Sequence, residues 1–228
     1  MAGMIRNLLF IVEGQTEGLA NAFGKGLQNI LRNECDFMRQ HHIRFSTIRK
    51  NGKHDLLSNV NFDVSQHLNP PKKLRAKLEQ RGSAPGDWMY ILRGLDCEDE
   101  DVVQHEIFEK ITPESHNRVE VHFAVQEIEA WIIADPDNFY RVYNYAPRQL
   151  LNDVKQLVPE GQSPEIAINC NPKPSERLEN LTRKHDRTYR KTIEGPKALD
   201  LVNPDYIADR CPHFRDFRQS LRTKIGWP

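Results

Sequence analysis

The chain has 228 residues, of which 28% are charged, and its 32 basic side chains balance its 32 acidic ones. This length suits one domain, or one domain with a sizeable extension, and the zero net charge gives no global basic field that would indicate nucleic acid, although local patches remain compatible with it. No apolar stretch approaches the roughly 20 residues that span a bilayer, and the first residues predict a strand rather than a signal peptide, so we expect a cytoplasmic protein without membrane contact.

The first 135 residues alternate short apolar runs with segments of helical spacing. Predicted strands cover residues 5–12, 43–49, 88–92 and 119–125. Predicted helices cover residues 16–32 with Thr16 as N-cap, a basic segment from Pro70-Pro71 to Arg81, and residues 100–111 and 126–134. Between them, residues 51–69 are expected to be irregular. This rhythm predicts an α/β fold with a mostly parallel, Rossmann-like sheet flanked by helices.

From about residue 136 the strand pattern gives way to helical segments separated by Pro, Asn and Gly. Helices are predicted over residues 147–158, 175–189, 196–200 and 212–224. We therefore divide the chain into an α/β core, residues 1–135, and a helical C-terminal extension, residues 136–228, that packs on or caps the core.

The four cysteines, at positions 35, 97, 170 and 211, form no CxxC pair, which disfavours a zinc ribbon. Free thiols fit a reducing compartment. Cys211-Pro212-His213 admits a metal interpretation, but a partly buried thiol at the start of a helix is the favoured one.

Acidic residues follow two of the predicted strands. The first strand runs into Glu13-Gly14-Gln15-Thr16-Glu17, and the third runs into an acidic segment from Asp96 to Asp101. Ligands of open α/β sheets gather at the carboxyl ends of strands, and hard cations such as Mg²⁺ prefer carboxylate oxygens. The pattern favours a divalent-metal site. The alternatives are a Glu13 stabilised by a helix dipole and a solvated acidic loop in which Asp99 caps the next helix.

A further acidic pair, Glu127 and Glu129, follows the fourth predicted strand. In a regular helix, residues two apart point roughly 200° apart, so both carboxylates cannot reach one metal. Glu129 lies close enough to the apolar residues Ile132 and Ile133 to be partly buried, and a buried charge needs a partner. The alternative is one surface glutamate and one structural ion pair.

Basic residues cluster between Arg183 and Lys197, with Tyr189 among them. Such a segment is suited to phosphate contacts, although a solvated helix face is the more common explanation of a charge run.

Taken together, the motifs resemble the Toprim domain of topoisomerases, primases and overcoming-lysogenization-defect (OLD) nucleases, and more closely a bacterial Toprim-like family of unknown function. The resemblance rests on Val12-Glu13-Gly14-Gln15-Thr16-Glu17 and on Glu127-Ile128-Glu129-Ala130-Trp131-Ile132-Ile133-Ala134-Asp135. Asn171-Pro172-Lys173-Pro174, Tyr189-Arg190-Lys191 and Cys211-Pro212-His213-Phe214 extend it over most of the chain.

The resemblance implies a metal-dependent nuclease that uses Mg²⁺ or Mn²⁺. Glu13 corresponds to the Toprim glutamate, a metal ligand or general acid/base, Asp96 to the second Asp of Asp-x-Asp, and Lys191 to a cation near the scissile phosphate. The implied metal ligands are Glu13, Asp96, Glu98, Asp99, Glu127 and Glu129. The implied contacts to nucleic acid, DNA in particular, are Arg187, Arg190, Lys191 and Lys197. Because members are often encoded beside an AAA or OLD-like ATPase, such a partner and a role in phage defence are expected.

One position departs from the Toprim pattern: the first Asp of the motif is replaced by Gly94, which has no side chain to bind a metal. Part of the site is then lost, or Glu98 or Asp99 compensates, or the change is an inactivating, engineered substitution. Gly94 and the neutral charge favour a second hypothesis, a non-catalytic subunit that binds an ATPase or nucleic acid and regulates it. A small-molecule hydrolase has little support, since neither a Gly-x-Ser-x-Gly elbow nor a phosphate-binding GxxxxGK[ST] loop occurs.

Overall fold

Four strands form one parallel sheet in a computed structural model of the chain, which describes residues 5–13, 27–80, 84–143, 147–168 and 170–228. The strands are β1 (Asn7–Glu13), β2 (Arg44–Lys50), β3 (Trp88–Gly94) and β4 (Val119–Ala124), in the order β2-β1-β3-β4. The two central strands are buried along almost their whole length, which explains their uninterrupted apolar sequences. The predicted parallel α/β sheet is confirmed.

Helices of the first half cover both faces of the sheet. They are α1 (Arg32–Gln40), α2 (Lys53–Leu68), α3 (Lys72–Gln80) and α4 (Glu100–Lys110), with a 3₁₀ turn at Pro113–Arg118. The predicted helix 16–32 falls mostly outside the described residues, as does its proposed N-cap Thr16. Its described end, residues 27–30, is helical, and α1 follows it.

Helix α2 occupies the segment that was expected to be irregular, so that prediction is wrong. Its buried apolar side chains are Leu56, Val60, Val64 and Leu68, spaced four residues apart. Four apolar residues at this spacing form a narrow stripe that holds a helix against the sheet, although the composition of the segment is polar overall. The helix begins after Gly52, whose φ of 88° suits a glycine.

Eight helices of the described chain follow β4. They are α5 (Glu129–Ala134), α6 (Asn138–Val142), α7 (Arg148–Gln156), α8 (Pro164–Ala167), α9 (Pro174–Arg183), α10 (Glu194–Leu201), α11 (Pro204–Arg210) and α12 (Pro212–Ile225). The helix predicted over 175–189 ends six residues early, because Asp186 has a left-handed backbone (φ 54°) and the chain turns there. Helices α6, α8 and α11 were not predicted.

Alternating residues of the sheet belong to two hydrophobic clusters. Leu9, Ile11, Met89 and Ile91 pack with α2 and α4. Leu8, Phe10, Val12, Tyr90 and Leu92 pack with α1 and with the helices that follow β4. The sheet and the C-terminal helices therefore share a core, and the division at residue 135 stays a prediction.

The aromatic side chains of α12 contact both the sheet and α5. Phe217 lies edge-on to Tyr90, with ring centroids 5.7 Å apart, and Phe214 lies 5.0 Å from Trp131. These rings are buried, so α12 contributes to the covering of the sheet. Within the described part of the chain, none of the helices combines the length and the apolar character that crossing a membrane requires.

Candidate functional site

The site lies where the strand order reverses, at the carboxyl ends of β1 and β3. From β1 the chain continues to β2 on one side, and β3 and β4 lie on the other. Ligands of open α/β sheets bind outside the carboxyl ends of the strands at such a reversal. Three non-glycine residues beside it, Asp96, Cys97 and Gln126, have positive φ angles of 45°, 73° and 68°. Such backbone conformations are costly and concentrate at functional sites.

Glu13, the last residue of β1, accepts a hydrogen bond from Arg93 of β3. The distance from Arg93 Nε to Glu13 Oε2 is 3.2 Å, and the Arg93 side chain is buried. Burial raises the pKa of Glu13, Arg93 opposes that rise, and the charges of Asp96 and Glu98 add to it. Glu13 is therefore a carboxylate that a nearby cation would stabilise. Its neighbours Gly14 and Glu17 lie outside the described residues.

Glu98 and Asp99 have partners of their own. Glu98 forms ion pairs with Arg93 and with Lys53. Burial raises the pKa of Glu98, but these two cations outweigh burial, and the pKa is lowered. Asp99 Oδ1 accepts a hydrogen bond from Val102 N at 3.0 Å and caps α4. The capping alternative for Asp99 is therefore observed.

Asp96 pairs with Lys173, which immediately precedes α9. Lys173 Nζ lies 2.9 Å from Asp96 Oδ1, and this hydrogen bond is the main cause of a raised Lys173 pKa. A disulfide between Cys97 and Cys170 joins the same two segments. The expectation of free thiols is therefore wrong for this pair, because folding brings two cysteines 73 residues apart in the sequence into contact.

The other two cysteines, Cys35 and Cys211, are free and buried. Burial raises the pKa of the Cys35 thiol to about 12. Cys211 sits at the start of α12, where the sequence predicted an unreactive thiol rather than a metal ligand.

Glu127 pairs with Lys191, which comes from the loop between α9 and α10. Lys191 Nζ is 2.8 Å from Glu127 Oε1, and Ser175 N donates to Glu127 Oε2 at 3.0 Å. Burial raises the pKa of Glu127, but Lys191 and Ser175 together outweigh it, and the pKa is lowered.

Glu129 is fully buried beside the same lysine. Tyr189 donates its hydroxyl proton to Glu129 Oε1 at 3.0 Å, and Lys191 Nζ lies 3.6 Å from Oε2. Burial raises the pKa of Glu129. The two glutamates were expected to point in different directions from one helix, and this prediction is wrong, because both contact Lys191. Helix α5 begins only at Glu129, so the helical spacing does not apply to Glu127.

The Lys191 pKa reflects both glutamates. Burial lowers it, but the charges of Glu129 and Glu127 outweigh burial, and the Lys191 pKa is raised. Asp96 also contributes to this shift, so the two lysine-acid pairs belong to one electrostatic cluster.

The acidic cluster could hold a magnesium ion only if water and substrate supply most of its ligands. Among the residues that the structure describes, no three His, Cys, Asp or Glu side chains are grouped to hold a metal ion. Mg²⁺, however, commonly uses one or two carboxylates, several waters and the phosphates of its substrate. Glu13 and Asp96, whose charges repel each other, fit such an ion.

Gly94 leaves room for a side chain at the end of β3. A Cβ built there would have the Gln126 carbonyl oxygen as its nearest neighbour, at 3.9 Å, which is ordinary van der Waals distance. The first side-chain atom of an aspartate at this position therefore meets no steric obstacle.

The four cations predicted to contact nucleic acid are partly engaged within the chain. Arg190 donates two hydrogen bonds to Glu194, at 3.1 and 3.0 Å, and Lys197 Nζ lies 4.0 Å from the same carboxylate. Arg187 donates to the Asp186 carbonyl at 3.1 Å, and Lys191 faces the acidic cluster. They extend over a turn and α10 rather than along one helix face.

Two contributors to the site, Arg93 and Lys173, were missed as functional residues. Arg93 stands next to Gly94 at a strand end, and Lys173 belongs to the Asn171-Pro172-Lys173-Pro174 motif, so both had a signal in the sequence. What the sequence lacks is their pairing, with Glu13 80 residues away and with Asp96 77 residues away.

Comparison with known proteins gives one result. Neither the curated proteins nor the solved structures include a match to this chain. The model of a family described as a domain of unknown function (DUF4276) matches residues 12–222, a stretch that contains every acidic and basic residue of the site. Since this match covers most of the chain, the chain belongs to the DUF4276 family of domains of unknown function.

Proposed function

We propose that this protein is a Toprim-like phosphodiesterase that cleaves nucleic acid, DNA in particular, with Mg²⁺ or Mn²⁺. One observation carries the proposal: Glu13, Asp96 and Glu127 lie at or just after the carboxyl ends of three adjacent parallel strands, and Lys173 and Lys191 pair with two of these acids. Carboxylates at the carboxyl ends of parallel strands, with cations beside them, match the needs of phosphoryl chemistry.

Each residue of the cluster has a role in this proposal. A divalent ion would activate water and stabilise the leaving oxygen of the scissile phosphodiester. Glu13 and Asp96 hold the position of that ion, and the raised pKa of Glu13 suits it to accept or release a proton. Lys173 and Lys191 offset the negative charge of the phosphate in the transition state.

A second candidate is a non-catalytic subunit that binds an ATPase or nucleic acid. It is favoured by Gly94, which supplies no ligand where the Toprim pattern has an aspartate, and by the ion pairs that already engage Glu13, Asp96 and Glu127. In both versions the protein is cytoplasmic, acts beside an AAA or OLD-like ATPase and belongs to a phage-defence system.

A cleavage assay separates the two candidates. Plasmid and single-stranded DNA are incubated with Mg²⁺ or Mn²⁺ and with the parent chain, Gly94→Asp, or either of these carrying Glu13→Gln or the control Glu109→Gln. Glu109 is an exposed acid of α4, so its substitution makes the same chemical change away from the cluster. We expect cleavage by Gly94→Asp at least, and a loss of roughly 100-fold or more on Glu13→Gln.

The outcomes of this assay differ in meaning. Cleavage by the parent and by Gly94→Asp means that neighbouring acids replace the missing ligand, and cleavage by Gly94→Asp alone means a nuclease disabled at position 94. Silence of both folded proteins means a binding subunit or a nuclease that needs its ATPase partner, and silence that persists after the ATPase is added contradicts the phosphodiesterase. Stable co-purification with an ATPase then supports the binding subunit.

A further inference from the structure

A groove opens at the opposite end of the sheet from the acidic cluster. Its volume is about 1010 Å³, and it lies between the amino ends of β1 and β2 on one side and helices α2 and α3 on the other. A seven-residue strand separates the two ends, which is roughly 20 Å at ~3.3 Å per residue. The groove is therefore distinct from the site described above.

The lining of this groove combines apolar and basic side chains. Phe45, Phe62, Leu74 and Leu78 contribute apolar surface, and Arg39, Arg44 and two histidines contribute basic groups. The described residues of the lining include no aspartate or glutamate. An apolar groove with basic groups and without acids is complementary to an anion that also carries apolar surface.

Phe62 is the most informative residue of the lining. It lies on α2, yet 65% of it is exposed, whereas the apolar stripe of the same helix is buried. An exposed aromatic ring in a groove that also carries basic side chains suits the stacking of a nucleic-acid base. On the opposite side of the groove the Arg39 guanidinium, which pairs with Asp36 at 2.6 Å, lies 5.7 Å from the centre of the Phe45 ring.

Helix α3 forms a basic rim to the groove. Its nine residues include four cations and one acid, and none of them is buried, so the helix contributes little to the core. Leu74 and Leu78, one turn apart, line the groove. Helical spacing then places Arg75 and Lys77 on either side of this leucine pair, where they can follow a phosphate backbone.

We propose that this groove binds a single-stranded segment of nucleic acid, with a base stacked on Phe62 and phosphates held by Arg75, Lys77 and the arginines of the lining. A single strand is the fitting occupant, because the bases of a duplex are stacked on one another and cannot cover the Phe62 ring. The site needs no catalysis: binding is expected whether or not the acidic cluster cleaves DNA.

Fluorescence anisotropy with labelled oligo(dT), and with a duplex of the same length, tests the proposal in EDTA, where no metal-dependent cleavage occurs. Phe62→Ala is expected to weaken binding of oligo(dT) by at least about fivefold. The double variant Arg75→Glu, Lys77→Glu is expected to bind with a weaker salt dependence. The slope of the logarithm of the binding constant against the logarithm of the salt concentration should become shallower by about 0.7 for each phosphate that is no longer neutralised. Both variants alter exposed side chains, so the fold should be retained, which circular dichroism checks.

Matched controls are Tyr206→Ala, which removes another exposed aromatic ring, and Lys110→Glu, which reverses an exposed charge on α4. Parent-like binding by the controls, together with a preference for oligo(dT) over duplex, supports the groove. The proposal is overturned if Phe62→Ala binds like the parent, if the duplex binds equally well, or if polyglutamate displaces oligo(dT) at equal charge concentration. The last result would indicate an acidic protein as occupant.

Discussion

Lys191 serves two carboxylates that differ in how much they depend on it. Glu127 also receives a hydrogen bond from Ser175 N. Glu129 is fully buried, accepts a hydrogen bond from the Tyr189 hydroxyl and lies 3.6 Å from Lys191 Nζ. Burying a carboxylate disfavours its charged form, and one cation shared between two acids compensates only in part. Burial therefore raises the pKa of Glu129 despite its two partners.

Glu129→Gln tests this at the level of one residue. The raised pKa means that above about pH 4.5, the ordinary value, the folded state holds a proton that the unfolded state has released, so stability falls as pH rises. Glutamine keeps the shape and still accepts from Tyr189, but it does not titrate. We expect the variant to lose less stability than the parent between pH 4.5 and pH 8 in urea unfolding.

Glu179→Gln is the control for this substitution, since Glu179 is half exposed and pairs with Arg183 on the surface of α9. Its pH profile should follow that of the parent. Parallel profiles for Glu129→Gln and the parent would show that Glu129 is charged in the folded protein at neutral pH.

At the scale of elements, His213 connects α12 to two other helices. His213 Nδ1 lies 3.1 Å from Glu165 of α8, and Nε2 lies 2.9 Å from Glu100 at the start of α4. Glu165 is buried and also accepts from Trp131 Nε1 at 3.1 Å. Hydrogen bonds to both carboxylates raise the pKa of His213 to about 9.

His213→Gln is expected to destabilise the protein more at pH 6 than at pH 10. The contribution of a histidine with a raised pKa is fully present below 6.5 and disappears as pH rises through about 9. For this partly exposed side chain we expect a decrease of about 1–2 kcal/mol in the free energy of unfolding at pH 6. Urea unfolding at the two pH values measures it.

His105→Gln provides the comparison, because His105 is an exposed residue of α4 that pairs with Glu109 on the surface. It should cost little at either pH. An equal effect of His213→Gln at pH 6 and pH 10 would mean that the ring acts by packing rather than by charge.

The elements differ in how well the sequence predicted them, and for physical reasons. The central strands were predictable since both faces of β1 and β3 are buried and their sequences are continuously apolar. Helix α2 was missed because four buried apolar residues in a segment of sixteen are enough to hold it against the sheet, and the polar composition of the segment hides so narrow a stripe. The positions of Glu13 and Asp96 at strand ends were predictable because the apolar sequences of β1 and β3 show where those strands stop.

The partners of those acids were not predictable. Lys173 and Lys191 lie in motifs that the sequence singles out, but they reach the site from loops before and after α9, and nothing local in the sequence indicates which acid each one meets. The same holds for the pairing of Cys97 with Cys170. Tertiary packing alone brings these groups together.

For the whole molecule, the shared hydrophobic cluster predicts that the α/β region does not fold alone. In a fragment of residues 1–135, the face of the sheet that carries Tyr90 would no longer be covered by Phe217 and other residues of α12. Each large apolar side chain left uncovered costs about 1.5–3 kcal/mol. We expect this fragment to aggregate or to lack cooperative unfolding by circular dichroism.

The milder substitution Phe217→Ala in the full chain should lower the free energy of unfolding by about 3–5 kcal/mol. A soluble fragment 1–135 with a cooperative thermal transition would establish the two segments as independent domains. Replacement of exposed Tyr140 by alanine serves as the reference for an aromatic side chain outside the core.

The disulfide lies on both sides of the predicted boundary, with Cys97 before residue 135 and Cys170 after it. The chain between them is therefore a covalently closed ring from which both ends of the polypeptide extend. A protease that cuts once within this ring leaves a nicked molecule in one piece on a non-reducing gel and in two pieces on a reducing gel. Comparing the two gels thus reports which cuts fall inside the ring and which fall in the free ends.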